Sequence, residues 1–474
     1  MLQTIINAWK IVDIRKKILF TAFIILVFRV GSAITIPFVN IGDGGILGST
    51  AMGGSSFLDY LNMMTGDAFN YATILAMSIT PYINSSIIMQ LLGVAIPALE
   101  RLQKEGEEGR KKIATITRYV TIGLAVMQSV AYFFYLRNGG ANPEVRTFLL
   151  EQPGGGLYTG FYAFLQAAVI VSVLTAGAAL TMWLGERINV NGIGNGVSMI
   201  LFAGIIARIP AMATQLYSPT QGYIARGGIW IPLSLIAGLS LLATIAFIVW
   251  MDNAERRIPV QYTKHVVGRK MYGGQNSHIP IKVNMSGVMP VIFSSSILSL
   301  PPTVQMFMAP NKLWVDGIVD GQLNFLGKFF DLFSQMNPWY LPMYFIMIVG
   351  FAYFYSSIQY DPTEMSNNIR NNHGMIPGYR PGEPTANYIR RILNRITLLG
   401  ALLLSVIALF PIAFSLLSTV ILGWAGMVDA AGRPATMSIS MGGTSVIIMV
   451  GVALETVKQL ESQMMLRHYK GFLD

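Results

Sequence analysis

The chain has 474 residues, 53% hydrophobic and only 12% charged, with a net charge of +10 and no cysteine. Soluble chains carry about 25% charged residues, so this composition points to a protein that crosses a membrane many times. It excludes a disulfide framework, a thiolate nucleophile and a cysteine metal site, and the histidines, His265, His278, His373 and His468, lie in polar segments with no metal spacing such as HExxH.

In chain order, "LQTIINAWKIV" reads as an interfacial amphipathic helix. It does not read as part of a cleavable leader, because the basic stretch is long and no small-residue site closes the apolar run that follows. A span needs about 20 mainly apolar residues, and ten runs satisfy this: 18–37, 69–96, 113–136, 157–184, 193–214, 230–251, 285–308, 338–359, 396–417 and 437–458. The segment 55–66, "SFLDYLNMMTGD", is apolar but too short to cross. It must lie on the membrane or fold back into the protein. The ten spans divide into halves of five, residues 1–225 and 226–474. An odd half inserts its copy upside down, so related halves would form an inverted repeat.

Basic residues collect on alternate connections: Lys10 to Lys17, Arg101 to Lys112, Arg256 to Lys282, Arg370 to Arg395, and Lys458, Arg467 and Lys470. The segment after the first span has Asp43, Asp59 and Asp67 and neither Lys nor Arg. Positive connections stay in the cytoplasm, so both ends of the chain are expected there.

Ion-coupled transporters hold acids and bases at mid-membrane, and these spans hold few. Arg118, Glu186, Arg187 and Glu455 fall near span ends, and only Arg29 lies well inside one, to be met by backbone carbonyls or by snorkelling. A secondary transporter of a small solute is therefore the alternative rather than the main reading. An intramembrane protease fares worse, since no histidine lies in a span to activate Ser294 or another serine. The stretch "NGIGNGVSMILFAG" fails as a phosphate loop, because no Lys-Ser/Thr follows Gly196. Its glycines instead let the chain turn into the bilayer at close helix approach, with Ile193 and Val197 on one helical face at i, i+4. Ile79 and Ile83 form a similar pair with Pro81 between them, where a kink is expected, and Pro290 stands in the same relation in span seven. Spacing alone leaves these isoleucines as core or lipid-facing residues.

The strings "FRVGSAITIP", "ITPYINSSIIMQLL", "KEGEEGRKKIATITRY", "MWLGERINVNGIGNGVSMILFAGI", "ERRIPVQY", "PIKVNMSGVMPVIFSSSI", "PGYRPGEPTANYI" and "GGTSVIIMVGVALET" carry a resemblance. Nearly end to end, and in the same order, the chain resembles the SecY/Sec61-alpha family of protein-conducting channel subunits. The resemblance implies an all-α polytopic membrane protein. Its ten transmembrane helices would form two five-helix inverted pseudo-repeats around a central hourglass pore, with a plug helix and a lateral gate. It implies a pore ring of Ile79, Ile83, Ile193, Val197, Ile292 and Ile448, and a plug in 55–66 that includes Phe57, Leu58, Leu61 and Met64. The gate would open between spans two and three and spans seven and eight, with Asn84, Gln90 and Gln128 as polar gate residues and Leu300 where some relatives carry Asn.

The basic loops 252–283 and 360–395 would then dock the SecA ATPase or the ribosome through Arg256, Arg257 and Arg380. "KMYGG" in the first loop has a hairpin-like turn signal. The implied partners are SecE, SecG, SecA, the ribosome, signal peptides and nascent polypeptides, within the bilayer of the bacterial inner membrane. No cofactor and no enzymatic step are implied. The 27 methionines suit an adaptable surface for varied apolar signals. Segments 137–156, 309–337 and 422–436 are longer than is usual in the family.

Overall fold

The computed structural model describes residues 8–39, 62, 64–137, 151–152, 156–157, 161–210, 230–262, 265–267, 270–272, 276–308, 318–319, 322–323, 329–330, 332–333, 337, 339–424 and 443–470. The helices are α1 (Val12–Gly31), α2 (Thr80–Ala95), α3 (Pro97–Lys104), α4 (Glu107–Arg137), α5 (Phe161–Asn191), α6 (Gly196–Ala207), α7 (Trp230–Asn253), α8 (Met289–Met308), α9 (Tyr340–Gln359), α10 (Pro362–Asn371), α11 (Glu383–Trp424) and α12 (Gly443–Lys470). Each of the ten expected runs overlaps one of them. Among the described residues, α4, α5, α7, α9, α11 and α12 are long and apolar enough to cross a membrane, and α2 with α3 adds a seventh if that bent pair is one span. The apolar helices α6 and α8 are shorter by the same measure.

Two prolines act differently from the kinks expected of them. Pro81 lies in the first turn of α2 and Pro290 in that of α8. There the missing N–H has no partner to lose and the fixed φ suits a helix start. The proline that does redirect the chain is Pro97: Ile96 before it is extended, and α2 and α3 meet at 105°.

The second expected span is therefore helical only from Thr80. Residues 66–79 are turns with left-handed backbone at Asp67, Ala72 and Ser78, and nearly all of them are buried. Non-helical backbone is tolerated at membrane depth only where protein covers it and satisfies its polar groups. The Ile36 N–H donates to the Ala72 carbonyl at 2.9 Å, the Ile74 N–H donates to Ile34 at 2.9 Å, and the Tyr132 hydroxyl donates to the Phe69 carbonyl at 2.6 Å. Phe69, Ala72, Ala76, Tyr132 and Leu174 share one apolar cluster.

The main core runs through both halves, from Ile24 and Phe28 of α1 to Leu454 of α12. Within the first half, α2 packs on α4 and α4 on α5; within the second, α8 packs on α9 and α9 on α11. Hydroxyls reinforce these contacts. Ser85 donates to the Thr117 carbonyl at 2.8 Å between α2 and α4, and Ser356 meets Thr397 at 2.9 Å between α9 and α11. Such bonds average about 0.6 kcal/mol within membranes. Among the described residues the halves meet chiefly along α6 against α12 and α4 against α8, and Leu460 of α12 is also buried with Ala8 and Ile14 at the start of the chain.

At 42 residues, α11 is about 63 Å long, twice the hydrocarbon thickness. Its first turns therefore project from the membrane, and there they carry a small α+β unit. Strand β3 (Glu255–Tyr262) lies between β6 (Asn276–Lys282) and β9 (Gly374–Met375), antiparallel to both, with Ile258 opposite Ile279 and Gln261 opposite Met375. Ile258 and Val260 point inward while Arg257, Pro259 and Gln261 face solvent, the two-residue period of a half-buried strand. Their core includes Ile281, Ile369, Ile376, Ile389 and Leu393, so the two basic loops fold as one body. Inside the β3–β6 hairpin, β4 (His265–Val267) pairs with β5 (Lys270–Tyr272), with Val267 opposite Lys270, and the two glycines of "YGG" lie outside the described residues. Two-residue strand pairs close the remaining elements: β1 (Glu151–Gln152) with β2 (Gly156–Leu157), and β7 (Ile318–Val319) with β8 (Gln322–Leu323).

Candidate functional site

The glycine turn ahead of α6 is built from four helices. Asn195 caps α6, its side-chain oxygen accepting from the N–H groups of Val197 at 3.1 Å and Ser198 at 3.4 Å. Asn189, at the end of α5, accepts the Gly196 N–H at 2.7 Å, and Thr21 of α1 accepts the Ile193 N–H at 3.0 Å. From α12, Gln459 accepts the Gly194 N–H at 2.8 Å. Gly194 has φ +85°, a backbone region costly for residues with a Cβ. A Cβ on Gly196 would run into the Gly185 carbonyl oxygen, so glycine is what lets α6 lie against α5.

Five of the six ring candidates join the core that spans both halves: Ile79, Ile292 and Ile448 are buried in it, and Ile83 and Val197 pack against it. They come from the start of α2, from α6, from the start of α8 and from α12, so each half contributes. Ile193 is separate. It is buried in a separate cluster with Ala8, Ile14 and Leu460, and the left-handed step at Gly194 stands between it and Val197. The i, i+4 relation read from the sequence presumed one continuous helix, and the helix begins only at Gly196.

Of the plug candidates, Phe57, Leu58 and Leu61 lie outside the described residues. Met64 is buried in the main core. The segment just after it is held by polar groups. Asn62 donates to Asp67 Oδ1 at 2.9 Å, its own side-chain oxygen accepts the Asn70 N–H at 3.0 Å, and Thr65 Oγ1 accepts the Phe69 N–H at 3.1 Å. Two arginines converge on the same turn: Arg208 Nε stands 3.4 Å from Asp67 Oδ1, and Arg29 Nη1 donates to the Gly66 carbonyl at 3.5 Å. Arg29 thus takes the backbone-carbonyl option expected of it.

The gate candidates Asn84 and Gln90 on α2 and Gln128 on α4 are half-buried, and among the described residues no hydrogen bond joins them to one another. Arg256, Arg257 and Arg380 are exposed on the α+β unit. Arg257 pairs with Glu255 at 2.7 Å, and the Arg380 carbonyl accepts the Thr385 hydroxyl at 2.8 Å. Among the described residues no group of three His, Cys, Asp or Glu is placed to hold a metal ion.

The SecY family profile matches residues 73–457. Protein translocase subunit SecY of Mycobacterium tuberculosis strain H37Rv is 39% identical over 477 residues, covering 100% of both chains. That of Streptomyces galbus is 39% identical over 473 residues at the same coverage. The chain belongs to the SecY family. Solved structures with this fold include a protein-conducting channel (16% identity, TM-score 0.59, covering 95% of this chain and 92% of that one). Another is Sec61 from the canine ribosome–channel complex of the endoplasmic reticulum (15% identity, TM-score 0.55, covering 95% and 92%). A third is the SecY protein whose plug domain is described as stabilising the closed channel (16% identity, TM-score 0.56). The solute-transporter alternative finds no support among these SecY and Sec61 relatives.

Within this SecY-family frame, three features escaped the sequence reading. Asp67 and Arg208 are 141 residues apart by their numbering, and Gln459 is 265 residues from the amide it accepts. The pairing of β3 with β9 joins loops that the sequence shows only as two basic stretches. Asn195 alone had a local signal, an N-cap residue directly before a helical apolar run.

Proposed function

We propose that this chain is the protein-conducting channel subunit of a bacterial Sec translocase. It passes unfolded secretory polypeptides across the plasma membrane and releases transmembrane segments sideways into the lipid. One observation supports this above the others: Ile79, Ile83, Val197, Ile292 and Ile448, drawn from both halves, meet in a single apolar core. An apolar constriction dewets and so blocks ions, and aliphatic side chains deform around a passing chain. Ile193 completes the family ring in sequence, and it lines the path only if the glycine turn reorients.

In this reading 55–66 is the plug, and the polar clasp from Asn62 to Asn70 anchors its end to α1 and α6. The gate lies at the α4–α8 junction. Both termini and the α+β unit face the cytoplasm, where Arg256, Arg257 and Arg380 meet SecA or the ribosome. SecE clasps the halves and SecG lies alongside. Energy comes from these partners, since the chain carries no phosphate-loop motif.

The test is electrical. Deleting residues 57–65 is expected to raise resting ion conductance in planar bilayers; a deletion channel as silent as the parent would count against the plug. Arg380→Glu is expected to reduce SecA-driven transport while leaving the amount of folded protein in the membrane unchanged, because the side chain is exposed on a preformed unit. Its remaining transport should become more sensitive to salt, as exposed charge contacts are screened. Equal loss of transport and folded protein would remove the docking role.

A further inference from the structure

We propose that Gln459 is a positioning residue of the channel: it pins the glycine turn to the second half, so that the α6–α12 junction stays closed while the halves move. The proposal rests on the ring and gate reading above, and it begins with the turn's amides. Those of Ile193, Gly196, Val197 and Ser198 are held by Thr21, Asn189 and Asn195, all from the first half. Gly194, at the left-handed step, is held across the junction by Gln459 at 2.8 Å.

The neighbouring residues of α12 point the same way. One turn earlier, Thr456 Oγ1 approaches Met199 Sδ of α6 at 3.6 Å, and Lys458 donates to Asp252 of α7 at 3.4 Å. Residues 456 and 459 lie three apart, on one face of α12. That face therefore grips α6 and its turn, while Lys458 ties α12 to its own half. Halves that open along α4–α8 stay joined only if the α6–α12 side holds, and there the Gln459 side chain bonds directly to the backbone of the turn while Thr456, whose hydroxyl donates to Val452 of its own helix at 2.7 Å, packs against Met199.

The Gly194 N–H lies just ahead of the Asn195 cap, outside the helix ladder, and among the described residues Gln459 is the acceptor it meets. Losing Gln459 would free the turn to tilt, and Val197, which packs against the central core, would move with it. Ring closure would then suffer before the fold does.

Because the chain lacks cysteine, the test is direct. Gln459→Leu should raise resting ion conductance in planar bilayers by about tenfold, the equivalent of one lost buried hydrogen bond. Gln459→Glu, which still accepts the amide, should stay near the parent. A disulfide between Met199→Cys and Thr456→Cys should form, leave SecA-driven transport into proteoliposomes within about twofold of the reduced form, and suppress the leak of Gln459→Leu. A folded Gln459→Leu channel as silent as the parent overturns the positioning role. A junction disulfide that abolishes transport overturns the closed junction, and it does so even if Gln459→Leu fails to fold. Neither result depends on whether the plug deletion leaks, so failure here is distinct from failure of the plug.

Discussion

Asp67→Asn is expected to cost about 3 kcal/mol of stability, the low end for leaving a buried charge without its partner. The Arg208 side chain is 9% exposed, and Asp67 is the carboxylate at its Nε. Arg29 reaches the adjacent Gly66 carbonyl, so among the described residues neutralising Asp67 removes the carboxylate that two guanidinium groups around one turn share. Asparagine keeps the shape and tolerates the φ of +71° that Asp67 adopts, which isolates the charge from backbone strain. The reverse change, Arg208→Met, should cost less, because the Asp67 side chain is 28% exposed and water can solvate it. The pair of substitutions together should recover much of the loss. The fraction of monodisperse protein surviving a heat challenge in detergent measures each. Equal tolerance of Asp67→Asn and Arg208→Met would show that the pair contributes nothing.

Gly196→Ala is expected to be worse than any exposed substitution in the spans. The added methyl meets the Gly185 carbonyl oxygen, with the carbonyl carbon at 2.7 Å and Ile188 Cβ at 2.9 Å. These are groups of a helix that cannot yield without breaking its own ladder. The alternative is for α6 to lift from α5, which breaks the 2.7 Å bond from the Gly196 N–H to Asn189 and shifts Val197. Overpacking a core costs about 1–3 kcal/mol, and a clash with backbone belongs at the upper end. Gly238→Ala on α7, with no atom within 4 Å of the new methyl, is the matched control. It should be neutral or slightly stabilising from helix propensity. Comparable folded yields for the two alanines, measured by fluorescence-detected size exclusion, would refute the close-approach argument.

How much of this was legible in the sequence depends on how local the cause is. Ten runs could be counted because the bilayer sets a length, and each overlaps a helix in the structure. Where helices begin is less legible: a proline inside an apolar run has the look of a kink, yet Pro81 and Pro290 are both first-turn residues, and before α2 buried turns take over a stretch that hydropathy alone marks as span. Ile193 and Val197 were paired by a helical period that the turn at Gly194 interrupts. The Asp67–Arg208 pair and the Gln459 bond had no local signature, since each depends on which helices become neighbours. The docking arginines were visible as charge; that their two loops share one hydrophobic core was not, because only the β3–β9 pairing and the projecting start of α11 bring Ile258, Ile369 and Ile389 together.

The central claim is that a polypeptide passes through the apolar centre where the halves meet. Single cysteines at Ile83 and Val197, both only partly buried at that centre, can be tested for disulfide formation with a cysteine in a secretory chain stalled during SecA-driven transport. Leu242, 67% exposed on α7, supplies the lipid-facing control. Crosslinks at Ile83 and Val197 without one at Leu242 are the result this account predicts. Stalled chains that crosslink to Leu242, or to neither central position, would contradict it.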